Sequence, residues 1–358
     1  MSLLDKFKPK TSMEAEIYQQ PDVLAKIIES YHSEEIDLPK NVKKIVIVAS
    51  GTSYHCARFA ADMLGSYAGL EARSIYSSEL LQKNIIPHDK GTLYIFITQS
   101  GETGDTLHAV RRVNELGLET LCITNKVDST IYKLCKYKVI TKAGVENSIA
   151  ATKSFTAQML CLLIVAIKFA KQVKDDAFSE KVEALSNSIP KIPETVKETL
   201  GLRKKIKQLA RLICKSKCVT TVADGMSYSL AKEAALKIKE TSYMNINAAI
   251  MGEFMHGHVA VLNNPKSALI YISVSGLPYT AVQHLNKIKK DYNPSIYIIG
   301  KPNERFQPNL NIQVECESDI LQAFSNVIIT QLLALEIATR LGRNVDKPKG
   351  LQKVVLEG

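Results

Sequence analysis

Two short hydroxyl-rich turns in the first half of the sequence have the residue types that could bind an anion. Residues 50–53 read Ser-Gly-Thr-Ser, and residues 98–106 read TQSGETGDT. An apolar run typical of a buried strand precedes each turn, and apolar residues at helical spacing follow it. The first N–H groups of a helix have no partner within the helix, and Ser and Thr hydroxyls add donors, so this pattern predicts a phosphate site. The alternative is an ordinary strand-to-helix turn that Ser or Thr caps.

A second group of candidate residues lies in the other half of the chain. Lys237 and Glu240 are three positions apart in a helical pattern, so they share one face of a helix. From spacing alone, a surface ion pair is the simplest interpretation. His256, in the stretch GEFMHG, and Lys353, near the C-terminus, have equally simple interpretations as a structural histidine and part of a disordered end.

The elements that must position these residues alternate between strand and helix. Apolar runs predict strands at 43–49, 70–76, 91–99, 118–124 and 137–141, with helical patterns between most of them. This alternation predicts a parallel sheet covered by helices on both faces. An amphipathic helix is predicted within 11–32 and an apolar one at 157–170, while His55, just after the first turn, is expected on a helix surface.

An internal repeat extends this pattern to the whole chain. Residues 49–61 align without gaps with residues 223–235, and seven of these thirteen positions are identical. The second hydroxyl-rich turn also has a later counterpart, at 272–276. The sequence therefore predicts an α/β fold of two tandem doubly wound parallel-sheet domains, with ligands beyond the carboxyl ends of the strands.

The two copies differ in their turns. The second copy has Met226 in one turn and Leu277-Pro278 after the other, where the first copy keeps hydroxyls. The anion site is therefore predicted in the first copy. The full predicted organisation is a helical segment (1–35), a first doubly wound domain that binds the anion (36–172), a helical linker (173–205), a second such domain (206–340) and a C-terminal tail (341–358).

Composition narrows the class of protein. A chain of 358 residues with 46% apolar content can form two domains. Seven scattered cysteines without metal-ligand spacing indicate buried, reduced thiols in a cytoplasmic protein. The net charge is +10, but no basic cluster carries interleaved aromatics, so solvated lysines or anionic metabolites are favoured over nucleic acid. Residues 157–170 are too short and too polar to span a membrane, and no signal-peptide pattern precedes them.

Several motifs together resemble a known family. They are SGTS at 50–53, TQSGET at 98–103, ATKSFT at 151–156, ALKIKETSY at 235–243, GEFMHG at 252–257 and VDKPKGLQK at 345–353. The chain resembles the double sugar-isomerase (SIS) family, with its flavodoxin-like domains. Within that family it resembles the isomerase domain of glucosamine-6-phosphate synthase (glutamine–fructose-6-phosphate aminotransferase). The resemblance covers nearly the whole chain and does not include a glutaminase domain.

The resemblance implies a set of substrate-binding residues. In the family, matching positions in the two turns hold the sugar phosphate, and a third segment supplies backbone contacts. The implied residues are Gly51, Thr52, Ser53, Gln99, Ser100, Gly101, Thr103, Ala150 and Ala151. Ala151 departs from the family, which usually has Ser there, so one hydroxyl contact to the sugar is expected to be lost.

The resemblance also implies catalytic roles. The match of Lys237 forms a Schiff base with the open-chain ketose or acts electrostatically, and Glu240 moves a proton between C1 and C2. The match of His256 opens the sugar ring in the site of a neighbouring subunit, and Lys353 approaches the substrate when the tail closes. Glu233, one turn before Lys237, either orients that lysine or lies on the surface. His258 stands where the family has Pro.

The resemblance thus implies a phosphosugar isomerase of amino-hexose 6-phosphates, working as a homodimer without organic cofactor or metal. Because a chain beginning here lacks an amino-terminal cysteine nucleophile, we expect ammonia or a separate glutaminase to supply nitrogen, or the reaction to run as deamination. Two alternatives stay open. One is a fructosamine-6-phosphate deglycase with an amino-acid pocket near Ala151 and His258. The other is a sugar-phosphate-binding regulator without turnover.

Overall fold

The computed structural model describes residues 9–83, 86–87, 89, 91–173 and 176–356. The chain divides into two compact units, and both are discontinuous in sequence. The first unit contains Asp22–Glu146, Lys153–Pro190 and the tail from Gln352. The second unit contains the start of the chain as far as Pro21, Asn147–Thr152 and Lys191–Leu351.

The first half of the chain alternates strands and helices. Two helices open it, α1 (Ser12–Tyr18) and α2 (Gln20–Ser33). The strands of the first unit are β1 (Lys44–Ala49), β2 (Glu71–Tyr76), β3 (Thr92–Thr98), β4 (Glu119–Thr124) and β5 (Tyr137–Ile140). Its helices are α3 (Gly51–Ala68), α4 (Ser77–Gln82), α5 (Gly104–Glu115), α6 (Thr130–Leu134), α7 (Lys153–Val173) and α8 (Ser179–Ser188).

The second half repeats this alternation. The second unit has strands β6 (Cys218–Ala223), β7 (Ile246–Ile250), β8 (Ser267–Ser273), β9 (Ser295–Gly300) and β10 (Leu310–Ile312). Its further helices are α9 (Ile192–Leu200), α10 (Arg203–Ile213), α11 (Ser227–Ser242), α12 (Met251–Phe254), α13 (Tyr279–Asp291) and α14 (Asp319–Arg340).

The two sheets have the same topology. The first runs β2-β1-β3-β4-β5 and the second β7-β6-β8-β9-β10, and all the pairings are parallel. Each sheet therefore has the flavodoxin-like order 2-1-3-4-5, with a switch point between its first and third strands. Gly51 and Gly225 adopt φ values of +55° and +54°, so the aligned turns share a left-handed backbone. The predicted α/β fold of two doubly wound units is confirmed.

Central strands and two long helices form the cores. Every residue of β3 and β8 is buried, as expected for strands covered on both faces. By length and composition, α7 and α14 are apolar enough to cross a membrane. However, 83% and 94% of their apolar windows are buried inside the protein, which is typical of core helices.

A tyrosine closes the β5 edge of the first sheet. The Tyr31 hydroxyl donates to the Ile140 carbonyl at 2.5 Å and accepts from the Ile140 N–H at 3.0 Å. A single side chain therefore satisfies both edge groups of that strand residue, which protects the edge from pairing with other strands. Burial raises the pKa of the Tyr31 phenol, so it remains a donor.

The predicted organisation can now be compared with the elements. The predicted linker, 173–205, contains α8 and α9 and divides between the units at Pro190. Of the predicted terminal segments, residues 1–8 and 357–358 lie outside the described residues. The seven cysteines, all within the described ranges, form no disulfide bonds, but Cys214, Cys218 and Cys316 are only half-buried.

Candidate active site

The first hydroxyl-rich turn connects β1 to α3. Ser50 is extended, at φ −129° and ψ 154°, and Gly51 then turns the chain into the helix. The first backbone bond of α3 runs from the Tyr54 N–H to the Ser50 carbonyl at 3.3 Å. Thr52 and Ser53, both half-buried, therefore lie in the first helical turn, where the helix dipole is positive.

The second turn connects β3 to α5 and has an internal hydrogen-bond network. The Thr98 and Thr103 hydroxyls are 2.9 Å apart, and the Gly101 N–H donates to the Thr98 hydroxyl at 3.3 Å. The Ser100 hydroxyl accepts from the Glu102 N–H at 3.1 Å. Because β1 and β3 are parallel neighbours, both turns lie at one edge of the first sheet, at its switch point.

Two further residues support the second turn. The Glu102 carboxylate accepts the N–H of Thr130, at the start of α6, at 2.9 Å. Burial opposes its ionisation, but hydrogen bonds from Thr130 and the charges of Lys126 and Lys133 outweigh it and lower the pKa of Glu102. Gly101 has a φ of +72°, and a Cβ there would lie 2.1 Å from the Ser129 hydroxyl oxygen. The turn therefore depends on glycine for two independent reasons.

At the corresponding edge of the second sheet, two acidic side chains accept hydrogen bonds from neighbouring residues. Asp224, at the position that aligns with Ser50, accepts a hydrogen bond of 2.6 Å from the Tyr271 hydroxyl. Burial, together with this carboxylate, raises the pKa of Tyr271. Ser275, which aligns with Ser100, bonds to Asp319, whose other oxygen is 3.2 Å from Lys301 Nζ. A carboxylate in place of a hydroxyl repels phosphate, which supports the prediction that the anion site lies in the first copy.

Helix α11 holds the predicted lysine between two carboxylates. Lys237 Nζ is 2.5 Å from Glu240 Oε2 and 3.6 Å from Glu233 Oε1. The side chains of Lys237 and Glu233 are 1% and 3% exposed, whereas Glu240 is 23% exposed. The surface ion pair suggested by spacing is therefore excluded for Lys237. Two carboxylates favour the charged ammonium, so this arrangement supports the electrostatic alternative more than a Schiff base, which needs a neutral amine.

The three histidines near predicted site residues lie in different surroundings. His256 follows α12 and is exposed, as is His258 two residues later, across Gly257 at φ +105°. In the described part of the chain the His256 side chain forms no hydrogen bond, so it is not joined to Lys237 or Glu240 there. His55 is 5% exposed, so the expectation of a surface position is wrong. Helix α3 packs against α7 as well as the sheet, so more than one of its faces is covered.

Two acidic residues hold the segment that carries Ala150 and Ala151. Ala150 is buried and Ala151 half-buried. The Glu16 carboxylate of α1 accepts from the Asn147 and Ser148 N–H groups and from the Ser148 hydroxyl.

Asp346 provides a second attachment for the same segment. Its backbone carbonyl accepts the Ile149 N–H at 3.2 Å. Its carboxylate accepts the Ser12 and Met13 N–H groups of α1, both at 2.8 Å. Glu16 and Asp346 thus fix the backbone that is predicted to contact the sugar.

The tail lysine has a protein partner. Lys353 Nζ lies 2.6 Å from Oε2 of the buried Glu146.

Over the described ranges, no group of three or more His, Cys, Asp or Glu side chains has a metal-binding arrangement.

Comparison with known proteins identifies the family. The sequence profile of the SIS domain matches residues 40–168 and again residues 212–340. The chain belongs to the SIS domain family. Its two SIS domains coincide with the two parallel sheets and with the internal repeat.

The most similar SIS proteins include long synthases. The glutamine–fructose-6-phosphate aminotransferase (isomerizing) of Methanosarcina mazei is 32% identical over 321 residues, which are 88% of this chain and 51% of that protein. The Aquifex aeolicus enzyme of the same name is 30% identical over 351 residues, covering 97% of this chain and 58% of that protein. This chain therefore spans about half the length of the curated relatives it matches.

Solved structures agree with the SIS fold. The C-terminal domain of glucosamine-fructose-6-phosphate aminotransferase from Francisella tularensis superposes with a TM-score of 0.85 at 27% identity, covering 96% of this chain and 99% of that one. Glucosamine-6-phosphate deaminase from Thermotoga maritima has a TM-score of 0.77 at 20% identity, with 96% and 99% coverage, a likeness in fold alone.

Sequence reasoning missed the acidic residues that support this SIS site. Glu16, Glu102, Glu146 and Asp346 each accept backbone or side-chain donors near predicted site residues. Of these four residues, only Glu102 could have been found from the local sequence, since it lies inside the second turn motif. The partners of the other three lie far away in sequence or in an irregular segment, where periodicity gives no information.

Gly101→Ala tests the geometry of the second turn. We expect a loss of more than about 2 kcal/mol in the free energy of unfolding, because the left-handed strain is combined with the clash against Ser129. Gly117→Ala is the matched control: its φ of +66° is similar, but a Cβ there meets nothing within 4 Å. Denaturant unfolding measures both, and equal losses would show that the contact with Ser129 is unimportant.

Proposed function

We propose that this SIS protein is a phosphosugar isomerase that interconverts fructose 6-phosphate and glucosamine 6-phosphate. The observation that carries the proposal is the buried Lys237 ammonium, 2.5 Å from a partly accessible Glu240 carboxylate. Such a pair combines a fixed positive charge with a group that can exchange protons with a substrate. The named activities of the synthase relatives and of the Francisella tularensis domain support the same chemistry.

The phosphate is assigned to the two turns of the first sheet. The hydroxyls of Thr52, Ser53, Ser100 and Thr103 give a set of neutral donors at two helix N-termini, and Gly51, Gln99 and Gly101 complete the assigned residues. The acidic character of the second sheet's edge supports this choice. The backbone at Ala150 and Ala151 is assigned to the sugar hydroxyls.

The proton transfer is assigned to Glu240. In the synthetic direction ammonia adds to the C2 carbonyl of the open-chain ketose and water leaves, which gives an imine at C2. Glu240 takes a proton from C1 while the imine nitrogen gains one, which gives a C1–C2 enolamine. Glu240 then returns its proton to C2 as the C1 hydroxyl loses its own, so that C1 becomes the aldehyde carbon and C2 carries the amine. Lys237 stabilises the negative charge that develops during this transfer, and Glu233 keeps Lys237 in place.

Ring opening is assigned to His256, whose imidazole can donate and accept a proton near neutral pH. It is exposed on the second unit, which supports a homodimer in which His256 acts in the partner's site.

The amino group is proposed to come from ammonia, free or released by a separate glutaminase. The seven free thiols support a cytoplasmic location.

A substrate panel tests the overall proposal. The purified protein should form hexosamine phosphate from fructose 6-phosphate with ammonium, and should release ammonia from glucosamine 6-phosphate. A third arm contains fructosamine 6-phosphates that carry an amino acid. If only the fructosamine 6-phosphates are turned over, the protein is a deglycase. If sugar phosphates bind but none of the three arms shows turnover, it is a sugar-phosphate-binding regulator.

Glu240→Gln should lower kcat by about 10²- to 10⁴-fold, the usual contribution of a general base, because the amide cannot take the C1 proton. Binding of fructose 6-phosphate, measured by calorimetry, should be retained. Glu115→Gln, on the exposed end of α5, is the control and should behave as wild type. Equal activity of Glu240→Gln and wild type would remove Glu240 from the mechanism.

Ser100→Ala combined with Thr103→Ala should raise the KM for the sugar phosphate by at least about 100-fold. Each hydrogen bond to a charged group contributes roughly 1.5–3 kcal/mol, and two are removed. Ser275→Ala, the equivalent change in the second copy, is the matched control and should leave KM unchanged. An unaltered KM in the double variant would mean that the phosphate binds elsewhere.

A further inference from the structure

The C-terminal tail contacts the first unit at two helix N-termini. The Val355 carbonyl accepts the N–H of Gly104, the first residue of α5, at 3.1 Å. Gly104 directly follows Thr103 of the second hydroxyl-rich turn. Two residues earlier in the tail, Lys353 Nζ is 2.6 Å from Glu146 Oε2. The tail therefore lies against the helix to which the phosphate is assigned.

The side chain of Glu146 provides a buried carboxylate that accepts this lysine. Its side chain is 0% exposed. It also accepts the Ser154 N–H at 3.1 Å and the Ser154 hydroxyl at 2.6 Å. Ser154 is the second residue of α7, so the carboxylate lies at the positive end of a 21-residue helix. These donors hold the carboxylate in position whether or not the tail is present.

The two tail contacts differ in strength. The Lys353–Glu146 contact joins two opposite charges, one of them fully buried, whereas the Val355 contact is a single backbone hydrogen bond, which is the weaker kind of interaction. Beyond the lysine, Val355 and Leu356 are 62% and 69% exposed, so burial does not hold the end of the tail. The ion pair must therefore be the principal attachment of these residues to the first unit.

We propose that Glu146 is a positioning residue that anchors the tail through Lys353 and so holds it against the amino end of α5. The anchor is formed by the protein alone and needs no substrate. Its effect on turnover rests on the proposed function: an anchored tail excludes water beside the phosphate turn, while the hydroxyls that bind phosphate remain unchanged.

Hydrogen–deuterium exchange of the full chain, without substrate, tests the anchor. Glu146→Gln keeps an acceptor for Ser154 but removes the charge, and Lys353→Met removes the ammonium. Each should accelerate exchange in residues 350–356 and at the Gly104 amide at least tenfold, and the double variant should exchange no faster than either single one. Lys353→Arg, which keeps the charge, should restore slow exchange, and Lys349→Met, at an exposed tail lysine, should leave it unchanged.

Steady-state kinetics with the active substrate gives the second measurement. Glu146→Gln should lower kcat by about tenfold, with KM changed less than threefold, since the phosphate ligands are intact. Wild-type exchange rates in Glu146→Gln would overturn the anchor, and an unchanged kcat would overturn its positioning role. Failure of every substrate in the panel would refute the proposed function alone, because the exchange measurement does not depend on turnover.

Discussion

The candidate site depends first on the order of two parallel strands. β1 and β3 are neighbours, yet the chain leaves them toward opposite ends of the sheet, so no crossover covers the space between their carboxyl ends. Two helices begin there, and Gly51 and Gly101 beside them are left-handed; the predicted hydroxyls lie in the first turn of α3 and in the turn that precedes α5. A phosphate bound there would meet neutral donors and two helix dipoles rather than a single strong cation.

The second sheet has the same topology but lacks the neutral hydroxyls that are predicted to bind phosphate in the first. Its strand order and the conformation of Gly225 match the first sheet, but Asp224 and Asp319 supply internal acceptors for Tyr271, Ser275 and Lys301. Its helix α11 instead presents Lys237 and two glutamates. The two copies thus share one backbone fold, while the hydroxyl-rich turns lie in the first copy and the lysine with its two glutamates lies in the second.

The sequence predicted the topology well because its signals are local. Strand runs and turns lie within short windows, and their alternation predicts doubly wound parallel sheets. The order 2-1-3-4-5 agrees with the flavodoxin-like domains that the family resemblance implies, and alternation alone does not determine it. The buried helix α14 received no prediction, although its apolar composition is evident over Asp319–Arg340. The supporting carboxylates could not be predicted, because Glu16, Glu146 and Asp346 contact partners 132, 207 and 334 residues away. His55 was misassigned because pairing of α3 with α7 is a tertiary contact that periodicity does not reveal.

The contact between Asp346 and α1 has a consequence for how the protein is made. α1 has only seven residues, and helices of that length are marginal in water without outside contacts. Its first N–H groups meet their carboxylate only after synthesis has continued for the 334 positions from Ser12 to Asp346. Helix α1 is therefore stabilised long after it is synthesised, and chains that stop before Asp346 leave its amino end without this acceptor.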